Sequence, residues 1–173
     1  MHRTDAIAMA LFGIFQILAA TVIAAHGFER IGGYIPCALC LEQRQPYYFG
    51  LPLLFIAGLA VKRRWAKVGS AAALAGGVVI LYGAGLAAYH SGIEWGFWPG
   101  PDTCALPAPP SSSGGILDQL NRIPPSCSEA VWRFLGLSFA GWNFVLSAVF
   151  GIVSVFLGWM SLISEGGFRS RPN

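Results

Sequence analysis

Four stretches of the chain are apolar for long enough to cross a hydrocarbon core, which takes roughly 20 helical residues. They cover residues 6–25, 41–61, 68–89 and 140–163. The polar connectors between them are unequal. Residues 26–40 make a short turn, Lys62-Arg63-Arg64-Trp65-Ala66-Lys67 is short and basic, and residues 90–139 form the one long polar segment, rich in Pro, Gly and Ser. Gly and Pro inside the apolar runs (Pro46, Pro52, Gly76, Gly77, Gly83 and Gly85) would weaken a helix in water. Membrane helices tolerate them, and small residues let neighbouring backbones approach closely. The pattern predicts an all-α membrane protein, a four-transmembrane-helix bundle forming a single integral membrane domain over residues 1–173. In the long loop, Ile116, Leu117, Leu120 and Ile123 fall on one helical face, opposite Asp118, Gln119 and Arg122. This predicts a short amphipathic helix that lies on the membrane surface or, equally, a solvated turn packed on the bundle.

Composition agrees with the bilayer as solvent. Hydrophobic residues make up 55% and charged residues 11% of the chain, where soluble proteins carry about 25% charged residues. The net charge of +3 forms no basic stripe, so nucleic acid is not an expected partner. Membrane lipid is. Lys and Arg set the orientation. Arg3, the Lys62–Lys67 connector, Arg169 and Arg171 share one side, and the other side offsets Arg30, Arg44, Arg122 and Arg133 with six carboxylates. The positive-inside rule makes the first side cytoplasmic, with both termini there. The first apolar run exceeds the 7–15 residues of a signal-peptide core and lacks a cleavage pattern after it, so it reads as a retained helix.

All four cysteines, Cys37, Cys40, Cys104 and Cys127, fall outside the spans on the non-cytoplasmic side, where disulfides persist. Two structural disulfides in a non-catalytic membrane scaffold would account for their number. Their placement favours redox chemistry. A bridge across so short a loop as Cys37–Cys40 removes little chain entropy and stabilises little. A helix N-terminus, by contrast, lowers a thiol pKa. Helical spacing from Cys40 through Arg44 to Tyr47 or Tyr48 puts thiol, cation and ring on one face, where Arg44 can stabilise a thiolate or a developing oxyanion. An Arg that merely snorkels to water is the plain alternative. Cys104 and Cys127 lie in the long loop, where an exposed, swinging disulfide could meet a soluble partner and then the first pair. Zinc is disfavoured, because Cys104 and Cys127 are not another C-x2-C and no H-x3–5-H follows. His90, at the outer end of the third span, reads as a plain interfacial His or as one that hydrogen-bonds an acceptor carbonyl. Trp95, Phe97, Trp98 and Trp142 read most simply as an interface belt, the alternative being that some line the pocket of a ring-shaped ligand.

Pro36-Cys37-Ala38-Leu39-Cys40 with Gln43-Arg44, Tyr89-His90, Glu94-Trp95-Gly96-Phe97, the loop cysteines, and Trp132 to Ser138 with Trp142-Asn143 together resemble the bacterial disulfide bond formation protein B (DsbB) family over nearly the whole chain. In the vitamin K epoxide reductase-like bundle, a second possible class of quinone enzyme, the loop pair precedes the CxxC; here the CxxC comes first. The resemblance implies a protein-dithiol:quinone oxidoreductase of the bacterial inner membrane. A reduced periplasmic thioredoxin-fold (DsbA-like) protein would attack the Cys104–Cys127 disulfide at Cys104, and Cys127 would pass the electrons to Cys37. Cys40, beside Arg44, would then engage ubiquinone or menaquinone, with His90 near the quinone.

Overall fold

Helix boundaries follow the backbone hydrogen bonds and overrun the apolar runs. The structure, a computed structural model, describes residues 3–101, 104 and 126–169, with side chains described as far as residue 163. Helix α1 is Arg3–Arg30, α2 is the five-residue Ala38–Glu42, α3 is Gln45–Lys62, α4 is Ala66–Glu94 and α5 is Phe139–Arg169. The first and third runs, expected at 6–25 and 68–89, therefore extend outward by several polar residues, and the first outer connection shrinks to residues 31–37. Hydropathy marks the thickness of the hydrocarbon; the helix continues wherever an i to i−4 bond can form.

The second run, expected to be one helix from residue 41, is broken. Pro46 occupies the first turn of α3. It has no N–H to give to the carbonyl four residues back, and the first turn of a helix is where that loss costs least. Gln43 and Arg44 make the intervening turn, with Arg44 N–H bonded to the Leu41 carbonyl at 3.1 Å. The CxxC thus has a small helix of its own. Residues 116–123, the expected amphipathic piece, lie outside the described residues.

Helices α1 and α4, with Phe139–Ile163 of α5, are long and apolar enough to cross a membrane. Helix α3 has 18 residues, about 27 Å at 1.5 Å each, close to the roughly 30 Å hydrocarbon core. The bundle turns Ile23, Phe49, Tyr82, Ile152, Phe156 and Trp159 outward, a surface that lipid satisfies and water does not. This is a four-helix membrane bundle. Its inner face buries Leu11, Leu18, Leu54 and Ile80. Helices α4 and α5 meet through small residues. A Cβ on Gly77 would stand 2.8 Å from Val155 Cγ2 and 3.0 Å from the Gly151 carbonyl. Ser147, Ser154 and Ser161, seven residues apart on α5, are buried as well. Arg64 lies 3.9 Å from Asp5, which puts the basic connector at the end of the bundle where α1 begins. The cysteines are at the opposite end.

A hairpin precedes α5, within the stretch expected to be loop. Strand β1 (Arg133–Phe134) pairs antiparallel with β2 (Leu137–Ser138), and Leu135 and Gly136 at its tip have φ of 51° and 83°. Two positive φ values in a two-residue connection match the twist of the flanking strands.

Candidate redox site

The first pair is built by the start of α2. Cys37 is the N-cap, its backbone extended, and its Sγ accepts the Cys40 N–H at 3.3 Å, the part a Ser or Asp oxygen usually takes. Both thiols are free and their sulfurs are 2.9 Å apart. The Cys40 thiol, donating to Cys37, holds the Cys37 thiol well below the ordinary thiol value; His90 and the Cys40 N–H add to this, and burial opposes it. Cys40 is pushed up for the complementary reason. Of the two, Cys37 is the thiol that ionises first. The leading cause is the neighbouring thiol rather than the end of a long helix.

The second pair is a disulfide, Cys104–Cys127, with Cα atoms 5.5 Å apart. It does not hang free. Cys127 is 1% exposed and packs in one cluster with Cys37, Leu39 and Ile93, while Cys104 and Cys40 are only partly buried at its edge. The disulfide therefore rests against the CxxC helix, with Cys104 as its more accessible sulfur. The expectation of an exposed, swinging bridge is corrected on this point: burying the bridge on Leu39 and Ile93 favours a docked arrangement.

A chain of side chains runs behind the thiols. His90 Nε2 is 3.7 Å from Cys37 Sγ, and its Nδ1 meets the Gln43 side-chain amide at 2.7 Å. Gln43 Oε1 accepts from Asn143 Nδ2 at 2.7 Å, and Asn143 Oδ1 accepts from the Tyr47 hydroxyl at 2.5 Å. As placed, the Gln43 amide donates to Nδ1, so the ring proton is on Nε2, facing Cys37. Glu94, one turn beyond His90, has Oε1 3.9 Å from Nε2 and accepts from the Ser138 hydroxyl. The ligating atoms of Cys37, Cys40 and His90 all lie within 4.8 Å of one another.

Cys40 faces a larger, mostly apolar cavity of about 350 Å³, lined among others by Val22, Arg44, Tyr47, Phe139, Trp142 and Leu146. This is within the size range of small-ligand sites. Arg44 lines it as the sequence suggested, but not as a bare cation: its guanidinium donates to Glu29 at 2.5 Å and approaches His26 at 3.3 Å. Of the two tyrosines, Tyr47 faces the cavity, whereas Tyr48 turns to His26. Trp142 lines the cavity; Trp95, Phe97 and Trp98 do not, and Trp98 stacks on Tyr89. His90 lies behind Cys37, in a smaller pocket with Glu94. Sequence reasoning assigned no role to Gln43, Glu29, Glu94 or Asn143. Three of them stood in the matching segments, and that was the available signal.

A helical membrane bundle that stacks a disulfide on a dithiol, with one of the thiols opening into an apolar cavity, defines a membrane thiol–disulfide oxidoreductase. Residues 7–157 match the family model described as disulfide bond formation protein DsbB, and the chain belongs to that family. It is 28% identical to disulfide bond formation protein B of Verminephrobacter eiseniae, covering 89% of this chain and 86% of that one. It is 27% identical to the protein of that name from Nitrosococcus oceani, covering 91% and 93%. Identity to the Methylococcus capsulatus protein is 30%, covering 84% and 90%. No solved structure matches the chain.

Proposed function

We propose that this protein reoxidises a periplasmic DsbA-like thioredoxin-fold protein and passes the electrons to a membrane quinone, in the bacterial inner membrane with its cysteine end periplasmic. The observation that carries the reading is the position of Cys40. It lines both the small pocket shared with Cys37 and the apolar cavity, so a thiol fed by one pair opens onto a site for a lipid-soluble acceptor. A donor thiolate attacks Cys104 Sγ, the accessible sulfur, and forms a mixed disulfide. Cys127 leaves as a thiolate already packed against Cys37. It attacks the oxidised Cys37–Cys40 bond at Cys37, and Cys40 departs as a thiolate on the cavity side. The donor's second thiol then cleaves the mixed disulfide at the donor sulfur, leaving the donor oxidised and Cys104 reduced. Cys104 next attacks the Cys37–Cys127 bridge at Cys127, which re-forms the Cys104–Cys127 disulfide and leaves Cys37 and Cys40 reduced.

The cavity suits a quinone head group, with apolar and aromatic walls for the ring and Arg44 as a cation for an oxygen. When bound, the quinone accepts two electrons and two protons. Within the chain, Arg44 stabilises negative charge at the ring, Glu29 holds the guanidinium in place, and Phe139 and Trp142 help exclude water. The basic connector, at the end away from the cysteines, supports a cytoplasmic placement of that end. The test uses purified full-length protein, a reduced thioredoxin-fold donor and a soluble quinone analogue. Loss of quinone absorbance should require all four cysteines. Undiminished electron flow in Cys37→Ser or Cys40→Ser would overturn the proposal.

A further inference from the structure

Behind the redox pair the fold assembles a donor set that electron transfer alone does not explain. Cys37 Sγ, Cys40 Sγ and His90 Nε2 converge within 4.8 Å. Glu94 Oε1 is 3.9 Å from that nitrogen and lines the same pocket. His90 and Glu94 are almost fully buried, with side-chain exposures of 4% and 5%. They come from successive turns of α4, which is why cysteine spacing alone argued against a metal: half of the donors are on another helix and follow no C-x2-C or H-x3–5-H rule.

Two sulfurs, an imidazole and a carboxylate are a tetrahedral set for a borderline-soft divalent ion. Zn–S bonds near 2.3 Å and Zn–N or Zn–O bonds near 2.0–2.2 Å imply tetrahedron edges of roughly 3.3–3.8 Å. The separation of 3.7 Å between Cys37 Sγ and His90 Nε2 falls on such an edge, and 3.9 Å between His90 and Glu94 lies just beyond one. The 2.9 Å between the sulfurs must widen, and a side-chain rotation at half-buried Cys40 can supply that. Outer partners are close by. Glu94 accepts from buried Ser138, and His90 Nδ1 faces the Gln43 side chain at 2.7 Å; with Nε2 on the metal the ring proton sits on Nδ1, and the Gln43 amide turns over to accept it through Oε1. Such contacts orient metal ligands and strengthen binding.

We propose that the reduced Cys37–Cys40 pair, with His90 and Glu94, is a binding site for Zn²⁺ or an ion of the same class, and that an occupied site is locked in the reduced state. Both cysteines bind as thiolates, so two metal–sulfur bonds form and their protons are released; no electrons move. The disulfide form has no thiolate to offer and does not bind. The block on electron flow rests on the function proposed above, whereas metal binding itself does not.

Binding is tested with Co²⁺, whose thiolate charge-transfer and tetrahedral d–d bands report this coordination. The sample is full-length Cys104→Ala/Cys127→Ala protein in detergent, so that one pair remains. The reduced protein should bind one Co²⁺ with these bands, Zn²⁺ should displace it, and the oxidised protein should show neither band. Affinity should fall more than tenfold in His90→Ala and in the near-isosteric Glu94→Gln, and by about 10–100-fold in Ser138→Ala. Absence of the bands in the reduced protein, or unchanged affinity in both ligand variants, would overturn the proposal. The comparison of oxidised with reduced protein needs no ligand variant, and none of these readouts involves quinone or donor.

Discussion

Cys37 is the atom-level centre of this chain because three groups point at its sulfur: the Cys40 thiol, His90 and the Cys40 N–H. A thiol whose pKa is lowered keeps its reactive thiolate as pH falls, and loses it only on passing below that lowered value. Alkylation of the reduced, chelator-treated protein should therefore stay fast at pH values where an ordinary thiol has stopped reacting. His90→Ala removes one of the three contacts and should move the midpoint of the alkylation profile upward. An unchanged midpoint would show that His90 does not act on Cys37. Arg44 allows a separate test. Its replacement by Gln keeps a polar side chain but loses the charge-assisted contact, so kcat/KM for a quinone analogue should drop about tenfold to a hundredfold, with reactivity toward the thiol donor retained. At this scale the sequence was most informative. The CxxC, the loop cysteines and Arg44 are recognisable from residue type and spacing. The Gln43–Asn143 contact joins residues 100 positions apart, and no local pattern encodes that the turn after α2 meets the first turn of α5.

Among the elements, the contact between α4 and α5 depends on glycine for a steric reason. Gly77→Val would push a side chain against the Gly151 carbonyl and Val155, an overpacking that costs about 1–3 kcal/mol. A Cβ on Gly85 meets nothing within 4 Å, so Gly85→Ala should leave the thermal midpoint in detergent unchanged while Gly77→Val lowers it. Equal midpoints would mean that this helix contact is not a tight one. The apolar runs at this scale revealed the four long helices but not how far each helix continues beyond its apolar stretch. Glu29 and Arg30 on α1, and His90 and Glu94 on α4, continue helices beyond the lipid-matching stretch, and Pro46 divides the second run. These polar extensions carry much of the site. The region of a helix that hydropathy handles least well is thus the region that carries the chemistry here.

For the whole molecule, the docking of the disulfide on the dithiol predicts which mixed species forms by itself. With Cys40 and Cys104 both changed to Ser, the remaining Cys37 and Cys127 belong to one packed cluster. They should join in a bridge on mild oxidation without any donor protein, seen as a mobility shift that a reductant reverses. Two free thiols after oxidation would contradict the docked arrangement. The positions of the two ends can be checked independently. A membrane-impermeant thiol reagent added to the cysteine side should reach Cys104 after reduction, and should miss a cysteine placed at Lys67.

The break at Gln43–Arg44 gives the redox pair a mechanical independence. Closing the Cys37–Cys40 bond draws the sulfurs from 2.9 Å to about 2.05 Å, a travel of less than an ångström. Because α2 is five residues long and ends at a turn, that travel can be absorbed by rotation of a short lever, leaving the membrane-crossing α3 still. One wall of the cavity, Cys40, then shifts with redox state while Tyr47 and Trp142 stay fixed. The pocket should therefore differ in shape between the open and the closed pair, and a ligand of the cavity should bind the oxidised and the reduced protein with different affinity.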